Sequence, residues 1–137
     1  DVTKEKIHDC VAVHDIARVF ASRLNKKPEE LHELYPPVEH PVVRTHPETK
    51  ESVVYVNGAF TSHIKGMEAK ESRRLLDTLY KSTWDPEIQC RFQWQAGSIA
   101  FWDNRACQHF AVSDYFPAVR VMERVTIAGD KPYFDNR

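Results

Sequence analysis

Glycine is scarce in this chain, at four residues in 137. None lies in a G-x-x-x-x-G-K-[S/T] or G-x-G-x-x-G pattern, where side-chain-free backbone closes around phosphate, so nucleotide binding of those two kinds is excluded. Cysteine is also sparse: Cys10, Cys90 and Cys107 are an odd number with no Cys-x-x-Cys spacing. That excludes a disulfide framework and a thiolate zinc site and leaves free thiols. Neither sign of charge dominates, with nineteen Lys plus Arg against twenty Asp plus Glu and a net charge of -1. No overall field draws the protein to nucleic acid or to an anionic membrane. No apolar run approaches the ~18 residues of a membrane helix, and Asp1-Val2-Thr3-Lys4-Glu5 is not the opening of a signal peptide. These absences predict a cytosolic protein with neither nucleic acid nor membrane as partner. The first residue is not Met, and we read the chain as processed or as a piece of something longer.

The residues present, 42% hydrophobic and 28% charged, suit one domain able to bury roughly two thirds of its unfolded surface. Ile7, Cys10, Val11 and Val13 have helical spacing over residues 4–14, with Thr3 available as a cap. Residues 16–37 read as a partly helical excursion of the kind that forms lids. Pro28-Glu29-Glu30 suits a helix start, and Pro36-Pro37 is a stop. Val42-Val43-Arg44-Thr45 and Val53-Val54-Tyr55-Val56 flank the polar turn His46-Pro47-Glu48-Thr49-Lys50, which predicts a hairpin. Leu75, Leu76, Leu79 and Tyr80 share one face of a helix over residues 68–82. Strands are expected over residues 88–94, 98–102 and 119–127, the first two joined by a turn at Ala96-Gly97.

Five of the seven histidines have ordinary explanations: His8 and His32 as surface residues, His14 at a helix end, and His40 and His63 with no ligand partner nearby in sequence. His46-Pro47-Glu48 admits two readings, a turn with two solvated side chains or two donors of a facial triad for non-haem Fe(II). Strand alternation over residues 119–127 places Arg120 and Arg124 on one face, about 13 Å apart at ~3.3 Å per residue. Such a pair is either an exposed face matched by acids or a pocket for carboxylate or sulfonate anions, each gripped by a guanidinium fork.

Several motifs occur together in order: His40-Pro41-Val42-Val43-Arg44-Thr45-His46-Pro47, Val56-Asn57 with Phe60-Thr61, Trp102-Asp103-Asn104-Arg105 with Gln108-His109, and Arg124-Val125-Thr126-Ile127 with Gly129-Asp130-Lys131-Pro132. In these the chain resembles the taurine dioxygenase family of Fe(II)- and 2-oxoglutarate-dependent oxygenases. The resemblance implies a mainly β fold, the distorted jelly roll or double-stranded β-helix with inserted and flanking helices, incomplete here because residues 1–137 correspond to the C-terminal part of one domain. It implies His109 as the distal histidine ligand of iron, Arg120 as the grip on the distal carboxylate of 2-oxoglutarate, and Arg124 as the partner of an anionic substrate group. Phe60 and Phe20 match pocket-lining aromatics, and Trp102 an aromatic near the metal.

The implied activity consumes molecular oxygen and cleaves taurine or a related sulfonate to an aldehyde and sulfite. The enzyme would be a homo-oligomer. Alkyl sulfate esters and aryloxyalkanoates are alternative substrates within the same chemistry, and a non-catalytic jelly roll binding dicarboxylates is the alternative outside it. The chain does not contain the family's early His-x-Asp motif, source of the other two iron ligands, or its early Thr. His46-Pro47-Glu48 falls after that motif in a hairpin turn and does not replace it.

Overall fold

In the computed structural model, which describes residues 2–135, the fold is organised around the strand β1 (Val11–His14). It runs antiparallel between β2 (Val38–Pro41) and β5 (Thr61–Ile64), with Ala12 opposite His40 on one side and Ile64 on the other. Being central selects for a small, fully enclosed side chain, and Ala12 has no solvent exposure. Helix α1 (Val2–Ile7) precedes it. Between β1 and β2 the chain makes the expected helical excursion through α2 (Ala17–Arg23) and α3 (Pro28–Leu34). The Asp15 carboxylate accepts the Ala17 backbone N–H at 2.8 Å and opens α2. Pro28 sits where its missing N–H costs nothing, and Glu30 reaches back to accept the Lys27 N–H at 3.1 Å.

A hairpin of β3 (Val43–Thr45) and β4 (Ser52–Val54) follows in the expected place, pairing Val43 with Val54 and Thr45 with Ser52. Lys50 closes its turn in the left-handed region at φ 64°. Helix α4 (Ala69–Ser82) packs on β5 and starts at Glu68, whose carboxylate accepts the N–H groups of Lys70 and Glu71. Leu75, Leu76 and Leu79 on its inner face join Ile7, Ala12, Val42, Val43, Val56 and Ile64 in one core. Ser72 is the polar member of that face. Its hydroxyl oxygen accepts the Ile64 N–H at 2.8 Å, tying helix to strand inside the core.

Four expectations are corrected. The helix over residues 4–14 stops at Ile7, and Thr3 lies inside it rather than capping it. Helical spacing alone suggested its continuation, but β-branched Val11 and Val13 gain two ladder partners as a central strand, and tertiary pairing outweighs local propensity. Ile88, the start of the first expected strand, is instead the last residue of a 3-10 turn, Pro86–Ile88, capped by the Asp85 carboxylate. Beyond it the described residues 89–135 form no strand, including 98–102 and 119–127, although the turn at Ala96-Gly97 is present with Gly97 at φ 81°. A strand persists only by exchanging hydrogen bonds with a neighbour, and no described strand pairs with this region. Val119, Val121, Val125 and Ile127 are accordingly 90%, 82%, 92% and 74% exposed, so the face on which alternation placed Arg120 and Arg124 is not formed.

Candidate functional site

The described residues after α4 form no strand but are fastened to the β3–β4 hairpin. Thr45 N–H donates to the Tyr133 carbonyl and Asp135 N–H to the Thr45 hydroxyl oxygen, both at 2.8 Å. Gln108 donates its side-chain N–H to the Val56 carbonyl at 2.9 Å. Asp103 starts a tight turn in which its carboxylate accepts the Arg105 N–H and its carbonyl accepts the N–H groups of Ala106 and Cys107. The Arg105 guanidinium grips the same carboxylate from Nε and Nη2 at 2.8–3.1 Å and lies 3.6 Å from Glu48. This grip, with a hydrogen bond from His46, holds the Asp103 carboxyl well below the usual carboxylate range.

His109 stands at the end of this anchored loop, its exposed ring packed against Trp102 with centroids 5.1 Å apart. Arg120 lies over the Tyr115 ring at 5.6 Å and Arg124 is exposed. Among the described residues no hydrogen bond, ion pair or ring contact joins His109, Arg120 and Arg124 to one another. Phe20 and Phe60, forty residues apart in sequence, do come together: their rings stack at 6.4 Å with planes 22° apart. The Asp15 N–H donated to the Phe60 carbonyl at 2.8 Å holds the start of α2 beside this aromatic pair.

Three histidines are not where the sequence suggested. His46 is neither a solvated turn residue nor a free donor. It is 6% exposed, its Nδ1 accepts the N–H groups of Glu48 and Thr49 at 3.3 and 3.1 Å, and its Nε2–H donates to Asp103 at 3.0 Å. Glu48 points to solvent beside Arg105. His14 ends no helix; it lies on β1 against His40, with ring centroids 5.1 Å apart. Tyr55 packs on both rings and carries Arg44, a side chain only 2% exposed, at 5.0 Å over its face. Burial and the neighbouring His40 push the His14 imidazole down to about 4. His32, expected at the surface, reaches Asp15 at 3.0 Å. Sequence reasoning missed the group in which half-buried His14, His40 and Tyr55 surround buried Arg44, because only strand pairing brings residues 14 and 40 face to face. The one available signal was Arg44 itself, a charge amid Val42, Val43 and Thr45.

Iron in a facial triad needs three protein donors, and among the described residues no grouping of three or more His, Cys, Asp or Glu could hold a metal ion. The described residues therefore do not by themselves form such a site. No described helix is long and apolar enough to cross a membrane.

Residues 1–126 match the family described as Taurine catabolism dioxygenase TauD, TfdA family. The chain is 35% identical over 138 aligned residues to an alkylsulfatase of Acinetobacter baylyi, covering 95% of this chain and 43% of that protein. It is 44% identical over 94 residues to the alpha-ketoglutarate-dependent sulfate ester dioxygenase of Pseudomonas putida, covering 69% and 31%. Among solved structures, a taurine dioxygenase from Burkholderia xenovorans aligns with a TM-score of 0.51 at 35% identity, covering 71% of this chain and 38% of that one. The chain thus spans less than half the length of these relatives, and the elements described above are part of their jelly roll rather than the whole of it. With the family matched across 1–126 and the Trp102–His109 motif anchored on the hairpin, the chain belongs to the TauD/TfdA family of Fe(II)- and 2-oxoglutarate-dependent dioxygenases.

Proposed function

We propose that residues 1–137 are the C-terminal part of a single dioxygenase domain whose whole protein oxidatively cleaves an anionic organosulfur compound in the cytoplasm, at the expense of 2-oxoglutarate and molecular oxygen. The observation that carries the reading is the ordered set His109, Arg120 and Arg124, in a chain matched by the family over residues 1–126. His109 provides one imidazole donor to the metal, the remaining donors coming from outside this chain. Arg120 grips the distal carboxylate of 2-oxoglutarate, for which a planar guanidinium fork is the suited partner. Arg124 holds the substrate's sulfo group. The stacked Phe20 and Phe60 offer an apolar wall to the carbon chain beside it. Free cysteines suit a reducing compartment.

Taurine or a related alkyl sulfonate is one substrate class; its cleavage releases an aldehyde and sulfite. An alkyl sulfate ester is the second, and the likeness to an alkylsulfatase and to a sulfate ester dioxygenase favours it; it would release an aldehyde and sulfate. The test is a panel of alkyl sulfonates, alkyl sulfate esters and aryloxyalkanoates given to the full-length protein with Fe(II) and 2-oxoglutarate. Succinate formed in step with sulfite or sulfate supports the reading and separates the two classes. Binding of dicarboxylates with no turnover of any panel member would establish the non-catalytic jelly roll instead.

A further inference from the structure

We infer that His46 is a positioning residue: it clamps the loop that ends in His109 onto the β3–β4 hairpin through its hydrogen bond to Asp103. As a statement about His109's role in metal binding, this rests on the function proposed above. As a statement about the loop, it does not.

The ring's chemistry supports the assignment. Backbone N–H groups can only donate, so the contacts from Glu48 and Thr49 require Nδ1 of His46 to be an acceptor. The remaining nitrogen, Nε2, therefore carries the hydrogen and donates it to Asp103. Both nitrogens are occupied and the ring is buried, which leaves no lone pair for a metal and removes His46 from the candidate ligands. Asp103 in turn organises the loop, through its hold on the Arg105, Ala106 and Cys107 N–H groups and on the Arg105 guanidinium. Gln108, next to His109, is fixed a second time to Val56 at the far end of the hairpin. Trp102, next to Asp103, packs on the His109 ring. A loop held at both ends on a rigid hairpin presents its histidine in a fixed place before any metal arrives, which is what precise ligand geometry requires.

The test separates the two ends of the imidazole. His46→Asn keeps an acceptor near the position of Nδ1 but loses the donor to Asp103, whereas His46→Gln carries a donor near Nε2. Amide hydrogen exchange in this chain should show Arg105, Ala106 and Cys107 exchanging at least about tenfold faster in His46→Asn, as expected for losing roughly one charge-assisted hydrogen bond. The Ser72 amide in α4 should be unchanged, and at Arg105, Ala106 and Cys107 His46→Gln should stay close to the parent. His46→Gln loosens Glu48 and Thr49 in either case, but if His46 served only its own turn, exchange at Arg105, Ala106 and Cys107 would not respond to His46→Asn; that result overturns the assignment. The parent protein gives a check that no variant's folding can obscure. Nitrogen-15 spectra of the His46 ring should show the Nε2–H tautomer, and an Nδ1–H tautomer would refute the clamp. In the full-length protein, Fe(II) alone should bind more weakly to His46→Asn than to His46→Gln. Should Fe(II) affinity not respond to His109→Ala, the ligand reading of His109 fails while the exchange result still decides the clamp.

Discussion

His14 and His40 face each other diagonally across the β1–β2 ladder, ring centroids 5.1 Å apart and planes 70° apart, with His14 Nε2 and His40 Nδ1 buried without hydrogen-bond partners. Burial lowers His40 as it does His14, and the positive charges of Lys131 and Arg44 beside His40 add to the effect. The pair is therefore a place where protons are unwelcome.

Stability should fall in mild acid. The His14 imidazole sits at about 4 against an ordinary 6.5, so between those values the unfolded chain binds more protons than the folded one. The neutral-pair contribution is complete above about pH 6.5 and is lost as pH falls toward 4, a decline of about 1–2 kcal/mol once partial solvent access to the pair is allowed for. Urea unfolding at pH 7, 6, 5 and 4 checks this. Replacing His14 with Phe should flatten that part of the profile, and an unaltered decline in the variant would assign it to other groups.

Ser72→Ala should destabilise the fold by about 1–3 kcal/mol, since the Ile64 N–H would be left in the core without an acceptor. Ser72→Thr keeps the oxygen and should cost less unless its methyl group meets the surrounding leucines. Chemical denaturation of the three proteins gives the comparison.

Arg120→Ala in the full-length protein should raise the requirement for 2-oxoglutarate far more than that for the organosulfur substrate. A loss of about 2–5 kcal/mol is expected when a buried charge-assisted pair loses one partner. Equal weakening of both would separate Arg120 from the cosubstrate.

The hairpin, the helical excursion and α4 were legible because each carries its own local signal: β-branched runs around a polar turn, Pro28 with acids at a helix start, leucines on one face. Residues 11–14 were misread because Ile7 and Val11 fit a helix equally well, and only the presence of two strand neighbours decides between them. The alternation at 119–127 is real in the sequence, but alternation states a preference for a sheet and cannot supply the partner strand. At the candidate site the residue types and spacing of His109, Arg120 and Arg124 were readable. The engagement of His46 by Asp103 was not, because it spans 57 residues and depends on how the C-terminal segment crosses the hairpin.

The most direct measurement is organosulfur-dependent succinate formation by the full-length protein and by its Arg124→Ala variant, with 2-oxoglutarate binding followed in parallel. The parent should form succinate in step with sulfite or sulfate. The variant should lose that turnover by at least about a hundredfold, in line with the loss of a charged partner, while still binding 2-oxoglutarate, and Arg124→Lys should restore part of it because it returns the charge but not the planar fork. Undiminished turnover in a well-folded Arg124→Ala protein would contradict the account.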